Sequence, residues 1–442
     1  GLAGGTRGGP AKVAVIGSAL FGMISGSSSA NVVASGTFTI PMMIKTGYSP
    51  RFSAAVESVA STGGQMTPPI LGAAAFIIAE LTGTPYLDIA LATVIPALLY
   101  FTSIYYMIDL EALKLSLMGH KAEDLPNVRS LIVRRGHLLI PILVLLYVMI
   151  VMKASVVKAA IFGIYATVLC TFLRRDTRIT VNKAVAGIAD GAKQAVGLIS
   201  ACATAGLIIG VLNMTGTGLK FAGAVIAFSG GSIPVALFLT MCASLVLGMG
   251  LPTTANYIIM ASLTAPILVQ LASGIVVHGV ALAVPLIAAH LYCFYFGILA
   301  DDTPPVGLAA YAAAAIADTS PIATGIQGFL YDIRTAILPL MFIFNHDIIL
   351  WGIDSVPEGI FLFFMTVLGC MSFASLTQGW FIAKNTLPDA LLLACSTIIM
   401  LYPALLTGFF LPHDQRYWGY LIGIGIMGLL AYMQHARTTQ TT

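Results

Sequence analysis

Two carboxylates stand side by side at Asp301-Asp302, directly before Thr303-Pro304-Pro305 and inside an otherwise apolar stretch. Charge at such depth in a bilayer is costly unless it is paired, hydrated or protonated. Neighbouring like charges are hard to keep ionised together, which suits proton carriage, and in ionised form they suit a cation. A local alternative has the pair capping a helix that begins at Pro304, with proline in its first turn. Two further clusters carry oxygen ligands, Gly26-Ser27-Ser28-Ser29-Ala30-Asn31 and Gly248-Met249-Gly250-Leu251-Pro252-Thr253-Thr254-Ala255-Asn256. Hydroxyls, side-chain amides and unwound carbonyls are hard ligands that fit Na⁺, and a helix starting after such a cluster turns its N–H groups toward an anion. The same small residues also serve close helix packing.

These clusters belong to a repeat. Ser29-Ala30-Asn31 returns as Thr254-Ala255-Asn256, and each copy is followed at equal distance by a Thr-x-Pro, Thr39-Ile40-Pro41 and Thr264-Ala265-Pro266. A matching pair of breaks follows, Thr67-Pro68-Pro69-Ile70 and Thr303-Pro304-Pro305-Val306. Paired interrupted apolar segments in corresponding halves point to a transporter's binding site.

The elements that must hold these residues are membrane helices. With 58% hydrophobic and 9% charged residues in 442, the chain falls outside the soluble class, where about a quarter of residues are charged. Its apolar runs are helical in length rather than the short alternating strands of a barrel, so the fold class is all-α integral membrane, in the lipid bilayer. Lys12 to Ser25 and Val32 to Ile44 are each too short to span and read as a re-entrant hairpin with its polar cluster as the tip. Residues 52–81 form a span broken at Gly63-Gly64-Gln65-Met66-Thr67-Pro68-Pro69, and the span Leu87 to Ile108 returns. Pro234 to Gly248 and Tyr257 to Leu271 form the second hairpin, and Val280 to Ala300 continues through the second break as Val306 to Ala317. Basic loops at 45–51, 109–136 (with Lys121) and 174–178 share one side, cytoplasmic by the positive-inside rule. The two units then have inverted topology, with the first hairpin opening to the cytoplasm and the second to the periplasm.

Four segments follow: 1–81 and 184–334 as the two repeats, 82–183 as scaffold helices with a basic loop, and 335–442 as further spans (Thr335 to Leu350, Ile360 to Leu376, Leu387 to Phe410, Tyr417 to Met433) with a cytoplasmic C-terminus. The Gly-rich start runs straight into an apolar helix without a signal pattern and reads as internal to a longer protein. Glu57, about 15 Å from the first break by helical rise, is within reach of the cytoplasmic interface, with a functional role as the alternative. His290, Tyr292 and Tyr295 are read as structural or pathway-lining, and Arg51 and Arg334 as topology anchors. No deep Arg or Lys is expected. Six cysteines sit singly in apolar runs, so no zinc site or disulfide framework is indicated. No His-Glu-x-x-His, Gly-x-Ser-x-Gly or Walker loop is present, which argues against an enzyme, and no cofactor or nucleic-acid partner is expected.

Ala19-Leu20-Phe21-Gly22-Met23-Ile24-Ser25-Gly26-Ser27 leading to Asn31, Ile40-Pro41-Met42-Met43-Ile44-Lys45-Thr46-Gly47-Tyr48, and Asp301-Asp302-Thr303-Pro304-Pro305-Val306-Gly307-Leu308 resemble the large membrane subunit of tripartite ATP-independent periplasmic (TRAP) transporters, DctM-like, and the fused permeases of its TAXI branch in particular. The likeness spans Gly9 to about Pro339. It implies an elevator mechanism in an architecture similar to the ion transporter superfamily. It also implies a bacterial or archaeal inner-membrane symporter for an organic acid, a periplasmic binding protein as partner, and a small membrane subunit fused upstream. By motif, one cation site falls on Ser27, Ser29, Asn31, Gly64 and Thr67, and the other on Gly250, Thr253, Thr254, Asn256, Asp301 and Asp302, with Na⁺ at the two hairpin tips. Ser28, Ser29, Asn31, Thr67, Thr254, Asn256 and Thr303 are the implied substrate contacts. The dicarboxylate and sialic-acid branches usually carry apolar residues in place of Asp301 and Asp302, so H⁺ stands beside Na⁺ as coupling ion. A stand-alone carboxylate symporter of the same architecture, and a passive channel, are the competing readings.

Overall fold

A computed structural model describes residues 4–117, 119, 128–272, 276–277, 280–281, 284–333, 336–353, 355–407, 415 and 417–441. Lys121, Arg334, Thr335 and Phe410 lie outside the described residues. The first hairpin is α1 (Gly9–Ser25) and α2 (Ser28–Thr46), joined by Gly26 and Ser27 alone. Gly26 stops α1 in the left-handed region (φ 62°), and Ser27 turns extended and accepts from the Ala30 N–H as N-cap of α2. Ser49 caps α3 (Pro50–Gly64) in the same way, with Pro50 in the first turn.

After the first break come α4 (Ala74–Thr82), α5 (Tyr86–Ala92) and α6 (Val94–Lys114), then α7 (Val128–Arg135), α8 (Ile140–Ile150), α9 (Val156–Thr171), α10 (Val181–Thr215) and α11 (Thr217–Ser229). The second hairpin is α12 (Ile233–Gly248) and α13 (Thr253–Leu263), followed by α14 (Ala265–Ala272) and an antiparallel pair β1 (Val276–Val277) and β2 (Val280–Ala281). The second broken unit is α15 (Leu286–Leu299) and α16 (Leu308–Ala317). The chain ends through α17 (Pro321–Asp332), α18 (Ile337–Phe344), α19 (Val356–Gln378), α20 (Leu387–Leu401), α21 (Ala404–Thr407) and α22 (Trp418–Thr441).

Five segments among the described residues are long and apolar enough to cross a bilayer: Tyr86–Lys114, Ile132–Ile150, Val181–Leu212, Pro321–Phe344 and Val356–Gln378. Outward-facing Val181, Ile188, Val196, Leu207 and Met214 on α10 suit lipid rather than water.

Packing interleaves the two halves. Both arms of the first hairpin lie on α3, and α12, α13 and α14 lie on α15. The continuation of each broken helix then crosses over: α16 packs on α2 and α3, and α4 packs on α13 and α15. The interior is filled by Tyr100, Tyr257, Tyr292, Tyr295, Phe294 and Phe296, all fully buried. At one point α1 and α3 touch backbone to backbone, since a Cβ on Gly22 would stand 2.7 Å from the Gly64 Cα.

The structure departs from the sequence reading in local detail. Ser28–Asn31 and Thr253–Asn256 are first turns of helices rather than loop, because Ser27 and Pro252 already end the extended stretch before them. α17 was not anticipated as an element of its own. The helix after the second break begins at Leu308, with Gly307 at its N-cap, so Asp302 does not cap it.

Candidate functional site

Proline pairs leave carbonyls without helical donors, and both breaks solve this with a tyrosine. The Tyr86 hydroxyl donates to the carbonyls of Pro69 (3.0 Å) and Ile70, and the Tyr311 hydroxyl to that of Pro305. The Asp301 carbonyl is taken by the Ala309 N–H at 3.1 Å, folding the second break back on itself. The peptide bonds Pro68-Pro69 and Pro304-Pro305 are both cis.

Between the breaks sits the Asp301 carboxylate, 4% exposed. Its Oδ2 accepts from the Ser28 hydroxyl of the first tip (2.6 Å), from the Thr253 hydroxyl of the second tip (3.2 Å) and from the Gln65 amide of the first break (3.3 Å). With its amide turned over, Gln65 donates instead to the Thr253 hydroxyl (2.6 Å) and the Gly26 carbonyl (3.1 Å), and accepts from the Ser28 N–H (3.3 Å). One carboxylate oxygen of the second break is thus the meeting point of both tips, with Gln65 of the first break beside it in either orientation.

Asp302, fully buried, faces the other way. It accepts from the hydroxyls of Ser58 and Thr62 (2.7 Å), one turn apart on α3. It also lies against Asp332 of α17, whose Oδ1 accepts from the Tyr100 hydroxyl at 2.7 Å. Tyr100 in turn bonds the Val59 carbonyl at 2.8 Å.

The tip asparagines anchor helices. The Asn31 amide donates to the Ser18 carbonyl (2.8 Å), and that of Asn256 to the Gly297 carbonyl (2.8 Å). Asn31 Oδ1 accepts from Ser35 (3.1 Å), whereas Asn256 Oδ1 is buried with no hydrogen-bond partner among the described residues. A buried oxygen of this kind is what a cation would complete.

The remaining expected residues fall around this centre. Ser27 serves as N-cap and lies 3.4 Å from the Ser29 hydroxyl. Thr67 and Thr303 each turn their hydroxyl back onto their own helix, to the Gly63 carbonyl (3.1 Å) and the Leu299 carbonyl (2.8 Å). Gly64 packs on Gly22, and Gly250, at φ 75°, approaches Val306. Thr254 is buried in the first turn of α13. His290 and Tyr292 hold α15 in place, through the Tyr257 hydroxyl (2.7 Å) and the Leu237 carbonyl (2.6 Å).

Two charged side chains of this region are buried. Glu57 is fully covered, with Ser18, Ser35 and Thr39 offering it three hydroxyl donors. Lys12 is buried as well, bonded to Asp109 at 2.6 Å and lying over the Tyr105 ring. Sequence reasoning also missed Ser58, Thr62, Gln65, Tyr100 and Asp332. A signal existed for the first two: Glu57 with Ser61, and Ser58 with Thr62, repeat polar residues at i, i+4 in a span, which puts them on one buried stripe.

A nearly all-helical chain with five segments, among the described residues, long and apolar enough to cross a bilayer is a multi-pass membrane protein. The chain belongs to the family described as "Tripartite ATP-independent periplasmic transporter, DctM component", matched over residues 1–359. This is a family of transporter permeases rather than of enzymes. Among curated relatives, the chain is 29% identical over 178 residues to the C4-dicarboxylate TRAP transporter large permease protein DctM of Pseudomonas aeruginosa, covering 39% of this chain and 40% of the relative. Its counterpart in Vibrio cholerae is 46% identical over 63 residues, 14% of each chain. An uncharacterized protein of Sinorhizobium fredii, y4mL, is 24% identical over 190 residues, 42% of this chain and 45% of the relative. The chain therefore spans less than half the length of each of these relatives.

Proposed function

We propose that the chain is the permease subunit of a TRAP transporter of the TAXI branch, taking up a small organic acid by coupling to a cation gradient. A periplasmic binding protein delivers the acid, and a small membrane subunit accompanies the permease. The observation that carries the reading is the bonding of one Asp301 oxygen to Ser28 and Thr253, one from each tip, in the interior of the fold. A charge placed there responds to both hairpins at once, as coupling requires.

In this reading the two repeats, 1–81 and 184–334, form the transport unit and slide against 82–183 and 335–442. The tips and breaks enclose substrate and ion: Ser28, Ser29, Asn31 and Thr67 on one side, Thr254, Asn256 and Thr303 on the other. Na⁺ fits the hydroxyl and carbonyl oxygens of the tips, and Asn256 Oδ1 supplies a buried acceptor with capacity to spare. H⁺ fits Asp301 and Asp302. The curated relatives named as C4-dicarboxylate permeases make C4-dicarboxylates the first substrates to assay.

Uptake of labelled acids into proteoliposomes, with and without the binding protein and with Na⁺ and pH gradients imposed separately, tests this. Accumulation that needs the binding protein and one of the gradients is expected. Full uptake without the binding protein points to a stand-alone symporter, and uptake indifferent to both gradients to a channel.

A further inference from the structure

Glu57 is a buried carboxylate to which the coupling scheme above gives no role. Its Oε1 accepts from Ser18 of α1 (2.7 Å) and Ser35 of α2 (2.6 Å), and its Oε2 from Thr39 (2.6 Å). Ser61, one turn along α3, adds a buried hydroxyl beside it. Among the described residues no Lys, Arg or His bonds to it. Of the titratable groups on the helices packed around α3, Lys12 of α1 bonds Asp109, Tyr100 of α6 and Asp332 of α17 bond each other, Asp302 bonds Ser58 and Thr62, Tyr311 of α16 bonds the Pro305 carbonyl and His290 of α15 the Tyr257 hydroxyl, while the Tyr295 hydroxyl of α15 is buried without a hydrogen-bond partner among the described residues. On α2, Lys45 lies in the last turn, beyond Thr39. A full charge there has only hydroxyls to stabilise it, which is a poor balance for a buried ion.

The cage also contains a choice. Ser35 has one hydroxyl hydrogen, yet four acceptors lie within reach: Glu57 Oε1, Asn31 Oδ1 (3.1 Å), the Asn31 carbonyl (2.8 Å) and the Ser18 hydroxyl oxygen (3.2 Å), which itself donates to Glu57. We propose that Glu57 is a proton-binding group whose ionisation decides whether Ser35 donates to Glu57 or to the tip residue Asn31. When Glu57 is ionised, Ser18, Ser35 and Thr39 all donate to it and Asn31 Oδ1 is left open. When a proton adds to Oε1, one O–H bond forms and none breaks. The new O–H donates to the Ser35 oxygen, and the Ser35 hydrogen turns to Asn31. The Asn31 amide nitrogen stays on the Ser18 carbonyl throughout.

With the Ser35 hydrogen on Asn31 Oδ1 rather than on the Asn31 carbonyl, protonation occupies the oxygen that a cation at the first tip would use, so proton and Na⁺ oppose each other there. Only this last step rests on the cation-coupled reading. The register of the repeats gives the cage a neutral counterpart, where Thr264 meets Cys293 at 2.8 Å as Thr39 meets Glu57.

Infrared difference spectra of the purified full chain between low and high pH test the proposal without transport. The wild type should show a carboxylic-acid C=O band that Glu57→Gln lacks, with both proteins melting alike in detergent. In Ser35→Ala the band should remain. Adding NaCl at the pH where half the band is present should diminish it in the wild type and leave it unchanged in Ser35→Ala. Identical difference spectra for wild type and Glu57→Gln would overturn the proposal. A Ser35→Ala band that still yields to NaCl would overturn the relay. A wild type that NaCl neither stabilises nor perturbs would count against Na⁺ coupling while the band itself still decides Glu57.

Discussion

Asp301→Asn preserves the shape of the side chain and removes its charge, so hydroxyls from both tips lose a charged acceptor. Hydrogen bonds to charged groups contribute about 1.5–3 kcal/mol, which corresponds to a fall in uptake of about 10-fold or more if they act in the transported state. Expression and the detergent melting profile should stay near wild type, since Ser28 and Thr253 retain an oxygen to bond. Asn31→Ala and Asn256→Ala should each abolish uptake, and near-normal transport in both would remove the tips from the site. Asp301 itself was legible in the sequence, because a charge in an apolar run stands out by composition. Its partners were not, since Ser28, Gln65 and Thr253 are distant in sequence and Gln65 looks like an ordinary turn residue. Aligned by the breaks, Gln65 occupies the place of Asp301, and Cys293 that of Glu57. Each half therefore carries its carboxylates where the other is neutral, a complementarity that a motif search for identity passes over.

The elements owe their geometry to backbone contacts that side chains would spoil. Gly64→Ala would drive a Cβ toward the Gly22 Cα, and overpacking of this kind costs about 1–3 kcal/mol. Thermal melting in detergent should show the loss, with uptake falling in parallel. Tyr86→Phe should cost about 1–3 kcal/mol by leaving the Pro69 and Ile70 carbonyls without a donor. Tyr86→Trp, which does not restore the hydroxyl geometry, should not rescue it. Proline pairs announce such breaks from sequence alone, whereas the tyrosines that repair them do not, because tyrosines are common in membrane helices. α17 escaped notice for a different reason: it is short and carries no break or motif to mark it, yet it delivers Asp332 against Asp302.

For the whole molecule, α4 crosses onto α13 and α15, and α16 onto α2 and α3, so each broken helix packs against the hairpin that the other follows. α6 complicates a division at residue 82, since its Tyr100 reaches between α3 and α17 to bond Val59 and Asp332. If 82–183 is scaffold, Tyr100 lies on the sliding face, and Tyr100→Phe should change uptake rate more than it changes substrate affinity. The measurement that bears most directly on the central claim is initial uptake of a labelled C4-dicarboxylate in proteoliposomes with the binding protein, under Na⁺ and pH gradients imposed one at a time, for wild type and Asp301→Asn. Gradient-driven accumulation in the wild type, reduced about 10-fold or more by Asp301→Asn under the gradient that drives it, is the predicted result. Accumulation of equal size in both proteins under every gradient would contradict it.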